Sequence, residues 1–142
     1  MRYRLFGSSG LRVSELALGT MTFGEAWGWG AAPEECRRIF DRFVELGGNF
    51  IDTANNYTDG ESERIVGELI ASDRDRFVVA TKYTLSTQKD DPNAGGNHRK
   101  NMVRAVDASL RRLGTDRIDL YWVHMWDGLT PIEEVVRVTE EV

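Results

Sequence analysis

The sequence predicts an α/β fold built on a parallel sheet, and three features predict it. Short apolar runs alternate with stretches of helical periodicity. The runs begin roughly 30 to 40 residues apart, about one strand-helix-strand unit. One of them, Phe77-Val78-Val79-Ala80-Thr81-Lys82, is the continuous β-branched-rich run expected of a strand covered on both faces. Successive units of this kind cross over right-handed and lay their strands parallel.

The elements follow in order. Arg2 to Phe6 and Leu11 to Val13 flank Gly7-Ser8-Ser9-Gly10, whose turn chemistry predicts a hairpin over residues 1–13. A short apolar run then reaches Leu18, with Gly19-Thr20-Met21 at its carboxyl end and a glycine-rich loop through Gly30. Pro33 suits a first helical turn. Cys36, Ile39, Phe40, Phe43 and Val44 recur at helical spacing until Gly47-Gly48 stops them. Asn49 to Asp52 is the second strand, with a loop to Gly60. Ile65, Val66, Leu69 and Ile70 stripe the second helix. Phe77 to Lys82 is the third strand, and the polar loop Ser86 to Asn97 follows it. Met102, Val103, Val106, Leu110 and Leu113 mark the third helix, ended by Gly114. Ile118 to His124 is the fourth strand. Thr130-Pro131 opens a last helix with Ile132, Val135 and Val136, expected to continue to Val142.

One incomplete domain results, with hairpin 1–13 and four β/α units over 14–142. Two architectures satisfy this order, an open doubly wound sheet or part of a (β/α)₈ barrel. A whole barrel takes about 250 residues, so these 142 hold at most half of one. No Gly-x-Gly-x-x-Gly follows the first strand, which counts against a Rossmann-type dinucleotide site.

Composition narrows the function. With 41% hydrophobic and 29% charged residues the chain is that of a soluble globular protein. Its net charge of -5, without a long Lys/Arg block, speaks against a nucleic-acid partner. The apolar runs are too short for a membrane span, and the first residues lack the apolar core of a signal peptide. Cys36, the only cysteine, excludes an internal disulfide and fits a reducing cytoplasm, so a cytoplasmic location is expected. As a small free thiol it is expected to be buried. His98 and His124 stand far apart and no His-x-His or Cys cluster occurs, so no metal site is expected.

In parallel β/α arrays the chemistry gathers at the carboxyl ends of the strands. There stand Asp52, Lys82 and His124, with Tyr57 five residues into the loop after Asp52. Singly each has an ordinary explanation as a turn residue, a loop aromatic, a snorkelling lysine or a core imidazole. Together, at three successive strand ends, they form a coherent acid/base set. A tyrosine titrates near 10, too high for proton transfer at neutral pH. An ammonium about 4 Å from a phenolic oxygen, at an effective dielectric of about 20, favours the phenolate by up to roughly 4 kcal/mol. A carboxylate beside the lysine keeps it charged and in place. A neutral imidazole can donate to a carbonyl oxygen. That set suits protonation of an alkoxide formed when hydride reaches a carbonyl carbon, the hydride coming from a cofactor.

Asp52-Thr53-Ala54-Asn55-Asn56-Tyr57, Thr81-Lys82 and Val123-His124 resemble the signature segments of the aldo-keto reductase superfamily. Leu18-Gly19-Thr20-Met21-Thr22-Phe23-Gly24 resembles its first-strand loop. Ser109-Leu110-Arg111-Arg112-Leu113-Gly114-Thr115-Asp116, leading into Ile118-Asp119-Leu120-Tyr121, is similar as well. Gly128-Leu129-Thr130-Pro131-Ile132-Glu133-Glu134 is similar to the fourth-helix opening of bacterial members near the potassium-channel β-subunit branch.

The resemblance covers essentially the whole chain and implies the first half of a (β/α)₈ TIM-type barrel, closed at its base by the hairpin. It implies Tyr57 as proton donor, Lys82 and Asp52 as its tuning pair, and His124 as the group orienting a small-molecule carbonyl. It implies NADPH across the barrel mouth, with the nicotinamide near Gly19, Thr20, Met21, Asp52 and Tyr57. Trp27, Trp29 and Trp126 on mouth-side loops are expected to line the substrate pocket. In this family the later strands carry most contacts to the adenosine phosphates. These residues alone are therefore expected not to bind NADPH tightly or to turn over, and their open half-barrel edges to favour self-association. Two other functions fit the residues, a Schiff-base lyase on Lys82 and a non-catalytic β-subunit-like interaction protein.

Overall fold

A computed structural model describes residues 1–139. The helix expected to run to Val142 is described as far as Thr139, and its last three residues lie outside the described part. Two antiparallel strands, β1 (Tyr3–Leu5) and β2 (Arg12–Ser14), form the hairpin. Four parallel strands follow, β3 (Leu18–Gly19), β4 (Phe50–Asp52), β5 (Val78–Tyr83) and β6 (Leu120–Val123), in the spatial order β3-β4-β5-β6. Between and after them run α1 (Pro33–Glu45), α2 (Glu61–Ile70), α3 (Arg99–Leu113) and α4 (Ile132–Thr139).

Local chemistry accounts for the helix ends. Pro33 opens α1, with Glu34 and Glu35 in its first turn and Arg42 in its last, as the helix dipole favours. His98 caps α3, its ring accepting the Asn101 backbone N–H at 3.3 Å, and Gly114 closes the helix in the left-handed region at φ 61°.

The alternation along each strand decides between the two architectures. Ile51 and Val79 are fully buried among Cys36, Phe40, Phe43, Val66, Leu69, Ile70 and Leu113 from α1, α2 and α3. Tyr83 and Tyr121 pack with Met102, Ala105, Val135 and Val138 from α3 and α4. All four helices thus cover one face of the sheet. The opposite face carries Phe50, Asp52, Lys82 and Trp122 and lines an open groove. A doubly wound sheet has helices on both faces, so this is a curled half of a (β/α)₈ barrel. Phe6 of the hairpin meets Phe50 and Trp122 edge-on, at 6.1 and 6.0 Å between ring centroids, at the end of the sheet where β4 begins. Trp122 and Val123 are 39% exposed each on the outermost strand β6. Cys36 is buried, and burial raises its thiol pKa. Among the described residues no helix is long and apolar enough to cross a membrane, and no group of His, Cys, Asp and Glu could hold a metal.

Two glycines set how closely the layers approach. A Cβ on Gly48 would lie 2.2 Å from the Phe43 ring. One on Gly67 would lie 2.4 Å from the Leu113 backbone oxygen, so α2 and the end of α3 touch only because position 67 has no side chain. Gly67→Ala is expected to destabilise the chain by about 1–3 kcal/mol through overpacking. Urea unfolding followed by tryptophan fluorescence measures it, and an unchanged midpoint would contradict the packing argument.

Candidate active site

The strand register brings the site together. Gly19 pairs with Asp52, Asp52 with Ala80, and Lys82 with Trp122, all in parallel ladders. Asp52 ends β4, Lys82 stands one residue before the end of β5, and His124 directly follows β6. Lys82 lies one step earlier in its strand than its sequence suggested, because β5 continues to Tyr83.

The Lys82 ammonium is 2.7 Å from Asp52 Oδ2, 2.6 Å from the Thr53 carbonyl oxygen and 3.3 Å from Tyr57 Oη. An ammonium has three protons to donate, and these are three acceptors. Its side chain is 14% exposed and that of Asp52 31%. The Tyr57 ring stands edge-on to the His124 ring, with centroids 5.8 Å apart and planes at 81°. The four side chains chosen from sequence therefore converge on one end of the sheet.

His124 Nδ1 is buried with no hydrogen-bond partner among the described residues. Burial lowers the His124 pKa, and the nearby Lys82 charge lowers it further against the opposing effect of Asp52. The folded chain is therefore the poorer proton binder at this ring. Its contribution to stability is complete above the ordinary value of 6.5 and declines on acidification below it, levelling once the folded ring also takes a proton. An NMR titration of the imidazole resonances is expected to find His124 with a midpoint below 6.5, and a higher midpoint would overturn this. Of the other tyrosines, burial pushes Tyr83 up to about 12 and raises Tyr121 as well, so neither suits proton transfer near neutral pH.

Behind Tyr57 the backbone turns through the left-handed region three times in succession, at Thr58 (φ 45°), Asp59 (φ 54°) and Gly60 (φ 87°). Glycine takes this conformation freely and aspartate tolerates it. A β-branched threonine there costs about 1–3 kcal/mol. Thr58 is fully buried, and its hydroxyl donates to the Phe23 carbonyl at 2.6 Å while accepting the Ser62 N–H at 3.1 Å.

The remaining expected positions divide. Gly19 borders the groove, and no heavy atom lies within 4 Å of where its Cβ would stand. Met21 is exposed in the following loop. Thr20 is fully buried, its hydroxyl bonds Asp52 O at 3.1 Å, its N–H bonds the same oxygen at 3.0 Å, and its carbonyl accepts from Ser62 Oγ at 2.7 Å. With its polar atoms engaged inside the protein, Thr20 anchors the strand end. Trp27, Trp29 and Trp126 stand apart from the groove. Trp27 and Trp29 pack on each other at 5.5 Å, with the Trp27 indole N–H donating to Asp59 at 3.3 Å, and Trp126 is 51% exposed. None of the three lines the groove, which Ala17, Phe50, Trp122 and Val123 share with Gly19, Asp52, Lys82 and His124 in a volume of about 500 Å³. Trp122 was legible, since it stands two residues before His124 and so on the same strand face.

Two loops at the mouth are tied to each other. Asn97 Oδ1 accepts the Asp127 N–H at 2.7 Å, and Asp127 Oδ2 accepts the Asn97 N–H at 2.7 Å. The Thr130 hydroxyl and backbone N–H, with those of Asn97 and Leu129, hold the Asp127 carboxyl well below the usual carboxylate range.

Comparison with known proteins adds a family to this geometry. Residues 15–142 match the Aldo/keto reductase family. Norsolorinic acid reductase of Aspergillus flavus is 49% identical over 145 aligned residues, covering 94% of this chain and 37% of that protein. A putative aryl-alcohol dehydrogenase, AAD6, of Saccharomyces cerevisiae is 44% identical and covers 91% of this chain and 66% of its own length. The holo form of aldo-keto reductase AKR11C1 from Bacillus halodurans superposes with a TM-score of 0.86 at 36% identity, over 99% of this chain and 46% of that one. The chain thus spans little more than a third of the norsolorinic acid reductase it matches.

Proposed function

We propose, from the premise that this chain belongs to the aldo/keto reductase family, that a barrel containing it reduces an aldehyde or ketone to an alcohol with NADPH. The observation that carries the reading is the Lys82 ammonium held between Asp52 at 2.7 Å and the Tyr57 hydroxyl at 3.3 Å.

The residues present fit the nicotinamide end of such a cofactor. Open space beside Gly19 adjoins Asp52, and the groove they share is open to solvent and large enough for a ring. Gly19, Met21, Asp52 and Tyr57 would hold it there. When bound, the nicotinamide supplies hydride to the carbonyl carbon. Tyr57 gives its proton to the carbonyl oxygen, and the Lys82 cation favours the phenolate that this leaves. Asp52 and the Thr53 carbonyl hold the Lys82 ammonium in place. His124, kept neutral by burial, has one ring N–H to offer the same oxygen. A lysine whose ammonium protons meet three acceptors has no free lone pair, which counts against Schiff-base chemistry. Aromatic aldehydes are the substrates to try first, because several relatives are named for aryl alcohols.

The test is a completed barrel, residues 1–142 joined to the C-terminal half of the Bacillus halodurans reductase. It is expected to consume NADPH with an aromatic aldehyde, whereas the 142-residue chain by itself neither turns over nor binds NADPH with micromolar affinity by fluorescence titration. A folded chimaera without turnover would remove the reading. The exposed Trp122 and Val123 on β6 support self-association of the isolated chain, which light scattering would detect.

A further inference from the structure

We propose that Thr58 is a positioning residue for Tyr57, its buried hydroxyl clamping a strained turn that fixes where the phenol meets Lys82 and His124; this rests on the reading of Tyr57 as the proton donor. The starting point is an anomaly. Three left-handed residues follow Tyr57 directly, and the first of them is β-branched. A glycine at position 58 would take φ 45° and ψ 45° without strain. The threonine instead contributes a hydroxyl with a full set of partners, donating to Phe23 O at 2.6 Å and accepting from Ser62 N at 3.1 Å. One side chain thus pins the residue after Tyr57 both to the loop behind β3 and to the first turn of α2.

Ser62 extends the clamp to the other side of the site. It is fully buried, and its Oγ lies 2.9 Å from Thr53 Oγ1 and 2.7 Å from Thr20 O. Thr20 Oγ1 in turn donates to Asp52 O at 3.1 Å. Three hydroxyl protons serve these contacts when Thr53 donates to Ser62, the Ser62 proton is shared between the Thr20 carbonyl and hydroxyl oxygens at 2.7 and 2.8 Å, and the Thr20 hydroxyl donates to the Asp52 carbonyl. This chain holds the backbone of Asp52 and Thr53, the two residues that also accept from Lys82 Nζ. The start of α2 therefore holds Tyr57 through Thr58, and the Lys82 acceptors through Ser62. Strained residues persist only where their surroundings over-determine them, and they cluster at functional sites. Neither Thr58 nor Ser62 touches the groove, so their action passes through Tyr57, Asp52 and Thr53.

The measurement is the nuclear Overhauser cross-peak between the Tyr57 and His124 rings in the 142-residue chain, assigned with Tyr57→Phe and His124→Gln controls. Thr58→Val keeps the shape and removes the hydroxyl, and it is expected to abolish the cross-peak while the resonances of α3 and α4 stay in place. Thr58→Ser is expected to restore it. A cross-peak at parental intensity in Thr58→Val, or its absence in Thr58→Ser, would overturn the proposal. Should Thr58→Val fail to fold, Thr58→Gly removes both strain and hydroxyl and is read in the same way, with a retained cross-peak overturning it. Turnover does not enter this readout. Failure of Tyr57 as a proton donor would appear in the chimaera, and failure of the clamp would appear here.

Discussion

Tyr57→Phe in a completed barrel is expected to lower kcat by about 10²–10⁴-fold, the usual worth of a positioned general acid, while leaving KM for NADPH nearly unchanged. The phenyl ring keeps its edge-on contact with His124, so the packing that places it survives. Only the hydroxyl 3.3 Å from the Lys82 ammonium is lost. An interaction used solely in the transition state lowers kcat and kcat/KM together, which is the pattern to look for in steady-state rates. Lys82→Met is expected to fall nearly as far, and the double variant little further than either, because the two groups act as a unit. If Tyr57→Phe retained more than about a tenth of the parental kcat, the phenol would not be the proton donor.

The second large effect concerns stability and lies on the other face of the sheet. Glu63 of α2 is completely buried, and its carboxylate receives the Arg112 Nε of α3 at 2.6 Å and the Thr81 hydroxyl of β5 at 2.6 Å. The Arg112 side chain is itself only 18% exposed. Glu63→Ala leaves that cation without its partner and Thr81 without its acceptor, for an expected loss of about 3–5 kcal/mol. A domain of this size has roughly 5–15 kcal/mol in total, so the variant should unfold at much lower urea or not fold cooperatively. A midpoint within experimental error of the parent would show that Arg112 finds solvent or another acceptor. The pair also supports the active-site end, because Thr81 is the neighbour of Lys82 in β5.

Most of the architecture was legible from periodicity and turn chemistry. Pro33, Gly47 and Gly114 marked helix boundaries within a residue or two, and the β-branched run at Phe77 to Lys82 identified the central strand. That the four candidate side chains come together was legible because Asp52, Lys82 and His124 each stand at or beside the carboxyl end of a parallel strand. What escaped was whatever depends on which way a loop folds back. The three tryptophans were placed on loop position alone, which did not foretell that Trp27 turns to Asp59 and packs at a tilt on Trp29. The β3–α1 loop also pairs internally, with a bridge between Phe23 and Ala31 that no local pattern announced. Thr20 looked like a ligand contact by proximity to Gly19, but its side chain rotates into the protein toward Asp52 O and Ser62. Glu63, Ser62 and Thr58 carry no local signal that sets them apart. Each also has a partner 18 to 49 positions away, which a single sequence does not pair.

The reciprocal bonds between Asn97 and Asp127 give the β5–α3 and β6–α4 connections a common fate. Whatever rigidity they have is established when the polypeptide folds, before any small molecule arrives. In the reductase proposed above, a substrate docking beside them would need little further ordering of two independent flaps. Asp127→Ala would remove the carboxylate's share of this tie, while the residue 127 N–H would still reach Asn97 Oδ1 and Asn97 Nδ2 would still reach the Met125 carbonyl.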